Sequence, residues 1–428
     1  MSKSKIAPAG VAVALSVLFM LAVQFSLAAP TALPALQTGS DTVAVCTWLG
    51  CKSGAVSYTQ DDAVNVISKS CQVRLEAAGF RGTFYYDGLV TTGSTTQTWL
   101  VTITAAGHEV GSHLTNHQLN CTIPPSCYPD CSTLEILYQT PTSPVTITNF
   151  RQDQIEPNIL AIEAGTNQPV LSLAYPCGAT DANRMIASEY YFLGARGYSD
   201  TWGNNFPWIV DVNPATPPEA MLLNSDNGIH DDPLIDRAIS EGTWAIFAVH
   251  DACLSIGTIT SRQADLWVAP VGEVLKYIKV RDAARFASYT QTYNSIGFDA
   301  GHSLSPMLRH TLANTPLLSI TFDNLVTLNV EVPANKGVGA VVVDGLPVSY
   351  AISGTISSAH SVLFTTTLEL TRTVAITLTG PNAVQLRDLS ARSDTDLSQN
   401  LGWLLALIVM GTSGLAGLMK ANRRQPHG

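Results

Sequence analysis

Two carboxylates and three histidines have side chains of the types that bind a metal ion and move protons. Asp61 and Asp62 are adjacent, His113 and His117 are four residues apart, and His250 follows a strongly apolar run. Catalytic zinc takes three protein ligands from imidazole nitrogens and carboxylate oxygens and keeps one position open. A carboxylate or imidazole that is not a ligand can then act as general base or general acid. The pattern therefore indicates a metal site with acid–base groups beside it.

Each of these groups also has a purely structural interpretation. An isolated His-x3-His pair is more often structural than metal-binding, although on a helical turn His113 and His117 would face the same side. Asp61-Asp62 could cap a helix that begins near Ala63, because acidic side chains favour the exposed N–H groups of a helix start. A lone His250 could be a structural histidine. We favour chemistry because the three groups occur together, each expected at the end of a strand.

The elements that must position these groups alternate along residues 54–286. Short apolar runs predict strands, and the longer segments between them predict helices. This alternation is typical of a parallel sheet covered by helices, open or closed. In such α/β folds the active site lies at the carboxyl ends of the strands. The predicted strands are Ala55–Thr59, Gly82–Tyr86, Val170–Ala174 and Trp244–Val249, and the predicted helices are 63–78, 181–193 and 271–287.

Beyond about residue 290 the sequence changes character. Thr, Val, Ser and Leu alternate in three stretches that Gly and Pro punctuate. This pattern predicts a small all-β, sandwich-like module at 300–382. A polar linker is expected to follow at 383–400.

Both ends of the chain have the composition of membrane-directed segments. Lys3 and Lys5 precede an apolar run and a small-residue stretch, which predicts a signal peptide at 1–29, with an uncleaved anchor as the alternative. Residues 401–419 are mostly apolar and about long enough to cross a bilayer. The basic residues that follow place the tail, 420–428, in the cytoplasm. We therefore expect a single-pass cell-membrane protein whose catalytic region is extracytoplasmic.

The charge balance excludes nucleic acid as the main partner. Lys and Arg number 23 and Asp and Glu number 33, for a net charge of −10, whereas phosphate contacts need clustered Lys and Arg. Eight cysteines, an even number, indicate disulfides in an oxidising compartment. A zinc cluster of Cys121, Cys127 and Cys131 is the alternative, although its spacing does not match the usual zinc fingers. The sequence leaves the cysteine pairing and any protein partner open.

Five segments resemble, in order along the chain, the motifs of one enzyme family. They are Thr59–Asp62, similar to the family's Thr-Phe-Asp-Asp; His113–His117, similar to His-Ser/Thr-x-x-His; Ala174–Gly178, in the slot of Arg-x-Pro-x-Tyr/Phe; Ile246–His250, similar to a short strand that ends in His; and Asp265–Pro270, similar to the closing segment. On these segments, residues 45–290 resemble the polysaccharide deacetylases, the NodB-like enzymes of carbohydrate esterase family 4.

The resemblance implies a distorted (β/α) barrel of about seven strands and a role for each site residue. Asp62, His113 and His117 would hold a divalent metal, either zinc or another transition metal such as cobalt or nickel. Asp61 would be the general base for a metal-bound water, and His250 would be the acid that protonates the departing amine. The residues implied to bind substrate or the oxyanion are Tyr175, Pro176 and Cys177.

The sequence departs from the family pattern at two supporting positions. Ala174 stands where the family has an arginine beside the base, and without that partner we expect a raised pKa for Asp61. Arg196 could replace the arginine from a neighbouring strand end, or could be purely structural. Asp200 is the candidate for the carboxylate behind the catalytic histidine.

Together these features predict a membrane-tethered deacetylase that removes N-acetyl groups from N-acetylglucosamine-containing cell-surface polysaccharide. Two alternatives stay open. One is an esterase that removes O-acetyl groups, as from acetylated xylan, and the other is a catalytically weak barrel that only binds glycans. Nothing in the sequence separates N-acetyl from O-acetyl substrates.

Overall fold

The structure, a computed structural model, describes most of the chain between residues 42 and 380. The described ranges are 42–63, 66–116, 145–178, 180–197, 209–210, 220–226, 231–250, 253, 255–355 and 358–380. The predicted signal peptide, linker, membrane span and cytoplasmic tail lie outside these ranges, as do His117 and Asp200. Within them, no helix is both long enough and apolar enough to span a bilayer.

The described part of the chain divides into a helix-and-strand module and a strand-only module. In chain order the strands are β1 (Val43–Val45), β2 (Gly54–Gln60), β3 (Thr83–Tyr86), β4 (Glu109–Ser112), β5 (Ser172–Ala174), β6 (Gly194–Arg196), β7 (Ile209–Val210), β8 (Trp244–Val249), β9 (Leu266–Val268), β10 (Ala284–Gln291), β11 (Ser295–His302), β12 (Leu325–Val332), β13 (Gly337–Val343), β14 (Leu346–Val348), β15 (Tyr350–Ser353), β16 (His360–Thr367) and β17 (Arg372–Thr379). The helices are α1 (Val66–Ala77), α2 (Thr95–Ala105), α3 (Ile147–Phe150), α4 (Glu156–Thr166), α5 (Ala182–Glu189), α6 (Asp231–Glu241), α7 (Ile256–Ser261) and α8 (Val271–Ala283), and a π-helical turn, Arg151–Ile155, joins α3 to α4.

One curled sheet forms the centre of the first module. Its strand order is β6-β5-β4-β3-β2-β8-β7, with β9 also paired to β2. All of these pairs are parallel except β7 with β8. Leu223 bridges to Arg196 of β6, and Asp226 bridges to Phe247 of β8. Segment 220–226 thus lies between β6 and β8, and the sheet curls back on itself. The predicted α/β class with a parallel sheet is confirmed.

The central strands β2 and β8 are buried along their whole length. A strand covered on both faces has a continuous buried run in place of an alternating one, which is why the apolar run Trp244–Val249 was readable in the sequence. The polar side chains of β2 are hydrogen-bonded inside the module. Ser57 Oγ donates to the carbonyl of Ala269 at 2.7 Å, and Thr59 Oγ1 donates to that of Phe247 at 2.8 Å. These bonds offset the cost of burying hydroxyl groups.

The second module consists of two antiparallel sheets with one shared core. Their strand orders are β1-β12-β16-β15 and β10-β11-β17-β13-β14. Leu328 and Phe364 of the first sheet and Phe298 and Ile376 of the second belong to the same buried cluster. Alternating burial along β16 and β17 matches sheets with one face in the core. The module therefore has the sandwich-like arrangement expected from its sequence.

Two elements of the second module come from sequence outside 300–382. The helix predicted over 271–287 ends at Ala283, because Ala284–Gln291 instead pairs with β11 as strand β10. Strand β1 precedes the parallel sheet in the chain and yet pairs with β12. The β1–β12 pairing joins segments that are distant in sequence, so composition alone did not reveal it, whereas β10 and β11 are neighbours in the chain.

Buried polar contacts join the two modules. Tyr277 on α8 donates its hydroxyl to the carbonyl of Cys46 at 2.8 Å, next to β1. Arg309, between β11 and β12, is 2% exposed. Its guanidinium pairs with Glu163 on α4 and donates to the carbonyls of Val170 and Tyr191. The segment between β11 and β12 of the second module is thereby fastened to the first module.

The prediction of disulfides is confirmed. Cys46 bonds Cys51, and Cys71 bonds Cys253 across 182 residues. Cys177 is disulfide-bonded as well. The alternative zinc cluster of Cys121, Cys127 and Cys131 lies outside the described residues.

Candidate active site

The candidate site lies at the carboxyl ends of the parallel strands. Gln60 at the end of β2 is opposite Val249 at the end of β8. The next residues, Asp61 and His250, therefore emerge side by side, and Asp61 N–H donates to the carbonyl of Val249 at 3.0 Å. His113 follows β4 at the same edge, two strands away. Strand order thus brings together groups that are up to 189 residues apart in the sequence.

Asp61 is a buried carboxylate between an arginine and a histidine. Only 4% of the residue is exposed. Arg196 donates from Nη2 to its Oδ1, and Nε2 of His250 lies 3.6 Å from its Oδ2. The carboxylate is therefore fixed on one side and faces the more open imidazole on the other.

The guanidinium beside Asp61 comes from the strand next to the one that carries Ala174. In the β5–β6 pair, Ala174 and Arg196 are direct register partners. Arg196 is fully buried, and its guanidinium lies 4.8 Å from the centre of the Tyr85 ring, which adds a cation–π contact. The arginine that the family motif has at position 174 is thus matched here by one from the adjacent strand at the same level.

The electrostatic surroundings lower the pKa of Asp61. Burial raises it, but the positive charges of Arg196, His113 and His250 and the hydrogen bond from Arg196 together lower it further than burial raises it. The raised pKa expected from the absence of an arginine at position 174 is therefore wrong in direction. The physical reason is that Arg196 supplies the missing charge.

Asp62 and His113 form a second pair beside Asp61. The backbone of Asp62 is left-handed, with φ 50°, and its side chain is half exposed, whereas that of Asp61 is buried. Its Oδ1 lies 3.7 Å from Nε2 of the buried His113. Nδ1 of His113 is 2.8 Å from the carbonyl oxygen of Ala174. A carbonyl only accepts, so Nδ1 carries the proton and Nε2 presents a lone pair toward Asp62 when the ring is neutral.

This pair fits a metal ion by its donor chemistry. Two ligands at zinc distances in tetrahedral geometry are about 3.4 Å apart, close to the 3.7 Å between Nε2 of His113 and Oδ1 of Asp62. A backbone carbonyl that fixes the far nitrogen of a ligating histidine is the usual support of such a ligand. The third predicted ligand, His117, lies outside the described residues. Among those that are described, no group of three His, Cys, Asp or Glu side chains could hold an ion.

The helical turn assumed for His113 and His117 is wrong for residues 113–116. Leu114 has φ 67°, and none of the four is helical. Leu114 N–H donates to Ser112 Oγ at 3.2 Å, and Thr115 N–H donates to the carbonyl of Gln154 at 2.9 Å. Because these N–H groups have partners outside the segment, no local helical bonding was needed to satisfy them.

The predicted oxyanion loop follows β5 at the same edge of the sheet. Tyr175 is buried, and its hydroxyl donates to Ser188 Oγ on α5 at 3.2 Å. Pro176 is also buried, and Cys177 has the left-handed backbone value φ 55°. The side chain of Tyr175 thus anchors the loop to α5.

One histidine close to His113 in the sequence lies away from the site. His108 precedes β4 whereas His113 follows it, so the strand places them at opposite ends; His108 Nδ1 accepts from Gly82 N–H at 3.0 Å. Sequence reasoning also missed Asp226, a buried carboxylate whose segment pairs with β8 three residues before His250. Its signal was a carboxylate three residues after Met221–Leu223, an apolar run too short to predict a strand. Asp200 lies outside the described residues.

No family model and no curated protein matches the chain, whereas 31 chains of solved structures do. The chain is similar to the CE4 domain of a multidomain xylanase from the hindgut metagenome of Trinervitermes trinervoides, with 15% identity over 53% of this chain and 92% of that one and a TM-score of 0.34. It is similar to a family 4 acetyl xylan esterase from Clostridium thermocellum, solved with a cobalt ion, with 17% identity, 52% and 91% coverage and a TM-score of 0.32. It is also similar to a peptidoglycan deacetylase from Bacillus subtilis, with 13% identity, 53% and 91% coverage and a TM-score of 0.32. Identity and TM-score are low in all three cases, and the chemistry of this chain must be derived from its own residues.

Proposed function

We propose that the chain is a metal-dependent hydrolase that removes acetyl groups from a polysaccharide. The observation that carries the proposal is the position of Asp61, a buried and ionised carboxylate between Arg196 and His250. The Asp62–His113 pair lies beside it. A helix cap or a structural histidine does not need an arginine buried against the neighbouring carboxylate. A general base does, because it must be held in one orientation and one protonation state.

The metal would be held by Asp62 and His113, with His117 as the third predicted ligand. Zinc suits two imidazoles and a carboxylate, and cobalt and nickel accept the same donors. A divalent ion bound there supplies Lewis-acid polarisation of the acetyl carbonyl and makes water a better nucleophile near neutral pH.

Asp61 and His250 would move the protons of the reaction. Water adds its oxygen to the acetyl carbon while Asp61 accepts a proton from it. The bond between that carbon and the leaving atom then breaks, and protonated His250 gives its proton to the departing nitrogen, leaving acetate and an amine. The side chain of His250 is 46% exposed whereas that of Asp61 is 6% exposed. The acid therefore faces the side from which a polymer approaches, and the base lies behind it.

We propose a cell-surface polymer that contains N-acetylglucosamine as the substrate. The same groups would also hydrolyse an O-acetyl ester, in which His250 protonates an alkoxide in place of an amine. Disulfides such as Cys46–Cys51 and Cys71–Cys253 favour an oxidising compartment and hence a catalytic region outside the cytoplasm. Anchoring through 401–419 remains part of this proposal.

Acetate release tests the proposal. The zinc-loaded full chain is incubated with peptidoglycan, chitin oligomers, poly-N-acetylglucosamine and acetylxylan, before and after chelation. We expect release from at least one N-acetylated polymer and its loss on chelation. Release from acetylxylan alone would favour the O-acetyl esterase, and binding without release from any polymer would favour the glycan-binding alternative.

Variants assign the roles. Asp61→Asn should keep the metal and lose about 10²- to 10⁴-fold in rate, the usual worth of general base catalysis. Asp62→Asn and His113→Ala should lower metal content first, with activity partly restored by excess zinc. His310→Ala, an exposed histidine of the second module, is the matched control and should retain both. Wild-type metal content and activity in Asp61→Asn and Asp62→Asn would leave the aspartate pair only a structural role.

A further inference from the structure

The segment that carries His250 is held at two points. We call its described residues, His250, Cys253 and Ser255, the His250 segment. Its first carbonyl, that of His250, accepts a hydrogen bond from Gln60 Nε2 at 2.9 Å. Three residues later, Cys253 is bonded to Cys71. The segment ends at Ser255, which has a left-handed backbone with φ 68°, immediately before α7. The imidazole itself is half exposed, so these anchors fix the backbone from which it projects.

Gln60 is an unusual side chain for its position. It is completely buried at the end of β2, between Phe84 of β3 and Val249 of β8. A buried amide costs free energy unless it is hydrogen-bonded. Its Nε2 has the His250 carbonyl as partner, whereas Oε1 has no hydrogen-bond partner within the described part of the chain. An apolar residue could be buried here at a lower cost in free energy. What glutamine adds is the hydrogen bond to the His250 carbonyl.

The Cys71–Cys253 disulfide ties together the two segments that carry the site. Cys71 is fully buried on α1, the helix that follows Asp61 and Asp62. Cys253 lies just beyond His250. The bond therefore ties the His250 segment to the middle of α1, independently of the sheet. Gln60 acts from the sheet side and the disulfide acts from the helix side.

We infer that Gln60 and the Cys71–Cys253 disulfide are positioning groups that hold His250 where it can protonate the leaving atom. This inference rests on the proposed function, in which His250 is the general acid. A displacement of about 1 Å at a reacting group can cost about 10²-fold in rate. Loss of either anchor should therefore weaken proton donation while leaving Asp61 and the Asp62–His113 pair in place. Full acid catalysis would then require an oxidised protein.

The dependence on leaving group tests this inference. An amine must be protonated as it leaves, whereas the nitrophenolate of 4-nitrophenyl acetate leaves without a proton. Gln60→Met, which keeps the volume and removes the donor, and Cys71→Ser/Cys253→Ser should lose at least tenfold in kcat on an N-acetylated chitin oligomer. Their kcat on 4-nitrophenyl acetate should change less than threefold. The matched control is Cys46→Ser/Cys51→Ser, which removes a disulfide that does not involve the His250 segment and should leave the ratio of the two rates unchanged.

A double variant separates positioning from general damage. In a His250→Ala background there is no acid left to position, so adding Gln60→Met should cause no further loss on the oligomer. An equal loss on both substrates, or additive losses in the double variant, would overturn the inference. If the serine variants do not fold, native wild type treated with a thiol takes their place, with Cys71–Cys253 reduction confirmed by mass spectrometry.

Hydrogen exchange provides a readout that does not depend on activity. The peptide spanning 248–256 should exchange at least threefold faster in Gln60→Met and in the reduced protein, whereas a peptide from β12 should not change. If wild type releases no acetate, the proposed function fails. The exchange rates still decide whether Gln60 and the Cys71–Cys253 disulfide hold the His250 segment. Unchanged exchange at 248–256 in both proteins overturns the inference.

Discussion

Asp61 stays ionised inside the protein because a guanidinium lies against it. Burial alone would raise the pKa of this carboxyl, and the charges of Arg196, His113 and His250 more than reverse that effect. Arg196 is itself buried, and its guanidinium contacts the face of the Tyr85 ring. Arg196 thus sets both the protonation state and the orientation of the Asp61 carboxylate.

The pH dependence should therefore change when Arg196 is replaced. In Arg196→Met, the main charge that counteracts the effect of burial on Asp61 is removed, so the pKa of Asp61 rises. Since only the ionised carboxylate accepts a proton, the acid limb of the pH profile of kcat should move to higher pH. Arg237→Met, which removes an arginine from the exposed pair with Glu241, should leave the limb in place. An unmoved acid limb in Arg196→Met would contradict the assignment of Asp61 as base.

The same variant tests stability. In wild type the folded pKa of Asp61 is depressed, so its ionisation stabilises the fold above the unfolded pKa of about 3.9. That contribution is lost as the pH falls through the folded value. Arg196→Met should be destabilised at pH 7 by about 3–5 kcal/mol, because a buried charge loses its partner. Urea unfolding at pH 7, with Arg237→Met as control, measures this difference.

At the scale of elements, α8 is fitted closely against the amino ends of the parallel strands. Its second residue, Gly272, donates its N–H to Glu109 Oε2 at 2.8 Å, and Val271 N–H donates to Thr83 Oγ1 at 2.9 Å. These side chains replace a cap within the helix, since Pro270 has no side chain that could accept the bonds. The end of the sheet opposite the candidate site is therefore a structural face.

Gly272→Ala should destabilise the protein by about 1–3 kcal/mol, the range seen for overpacking. A Cβ there would lie 2.5 Å from Leu171 Cβ and 2.7 Å from Glu109 Oε1. Gly257, also the second residue of a helix, has nothing within 4 Å of such a Cβ. Gly257→Ala should therefore be neutral or stabilise by up to about 1 kcal/mol. Equal unfolding midpoints for the two variants would argue against close packing at α8.

At the scale of the whole molecule, the two modules share buried surface. The cluster that contains the sandwich core also contains Trp244 and Trp267 of the curled sheet and Tyr277 of α8. The β1–β2 connection and the α8–β10 junction join the modules covalently where the first module begins and ends in the chain. We therefore expect the described modules to unfold together.

Arg309→Met should weaken this junction. It removes the buried partner of Glu163 and the donor to two carbonyl groups. The expected loss is about 3–5 kcal/mol, as for other broken buried pairs. Arg285→Met, at an exposed position on β10, should change stability by less than about 0.5 kcal/mol. Circular dichroism during urea unfolding measures both, and an Arg309→Met midpoint equal to that of Arg285→Met would show that the junction contributes little.

Local sequence was sufficient for the features that depend on one segment at a time. The buried runs of β2 and β8 predicted strands because both faces of these strands are covered. Asp61 and His250 directly follow these runs, at the carboxyl ends of the two strands. The even cysteine count predicted disulfides. The change to alternating β pattern predicted the second module, apart from β1, β10 and β11. These features could be predicted because the residue types along a single strand show which of its faces is buried.

The tertiary structure decided what depends on two distant segments. That Arg196 replaces the arginine absent at position 174 follows from the β5–β6 register, which residue spacing does not reveal. The same holds for the Cys71–Cys253 pairing and for β1 joining the sandwich. Strand order and register are fixed by the packing of the whole sheet, whereas periodicity along one strand only tells which of its faces is buried.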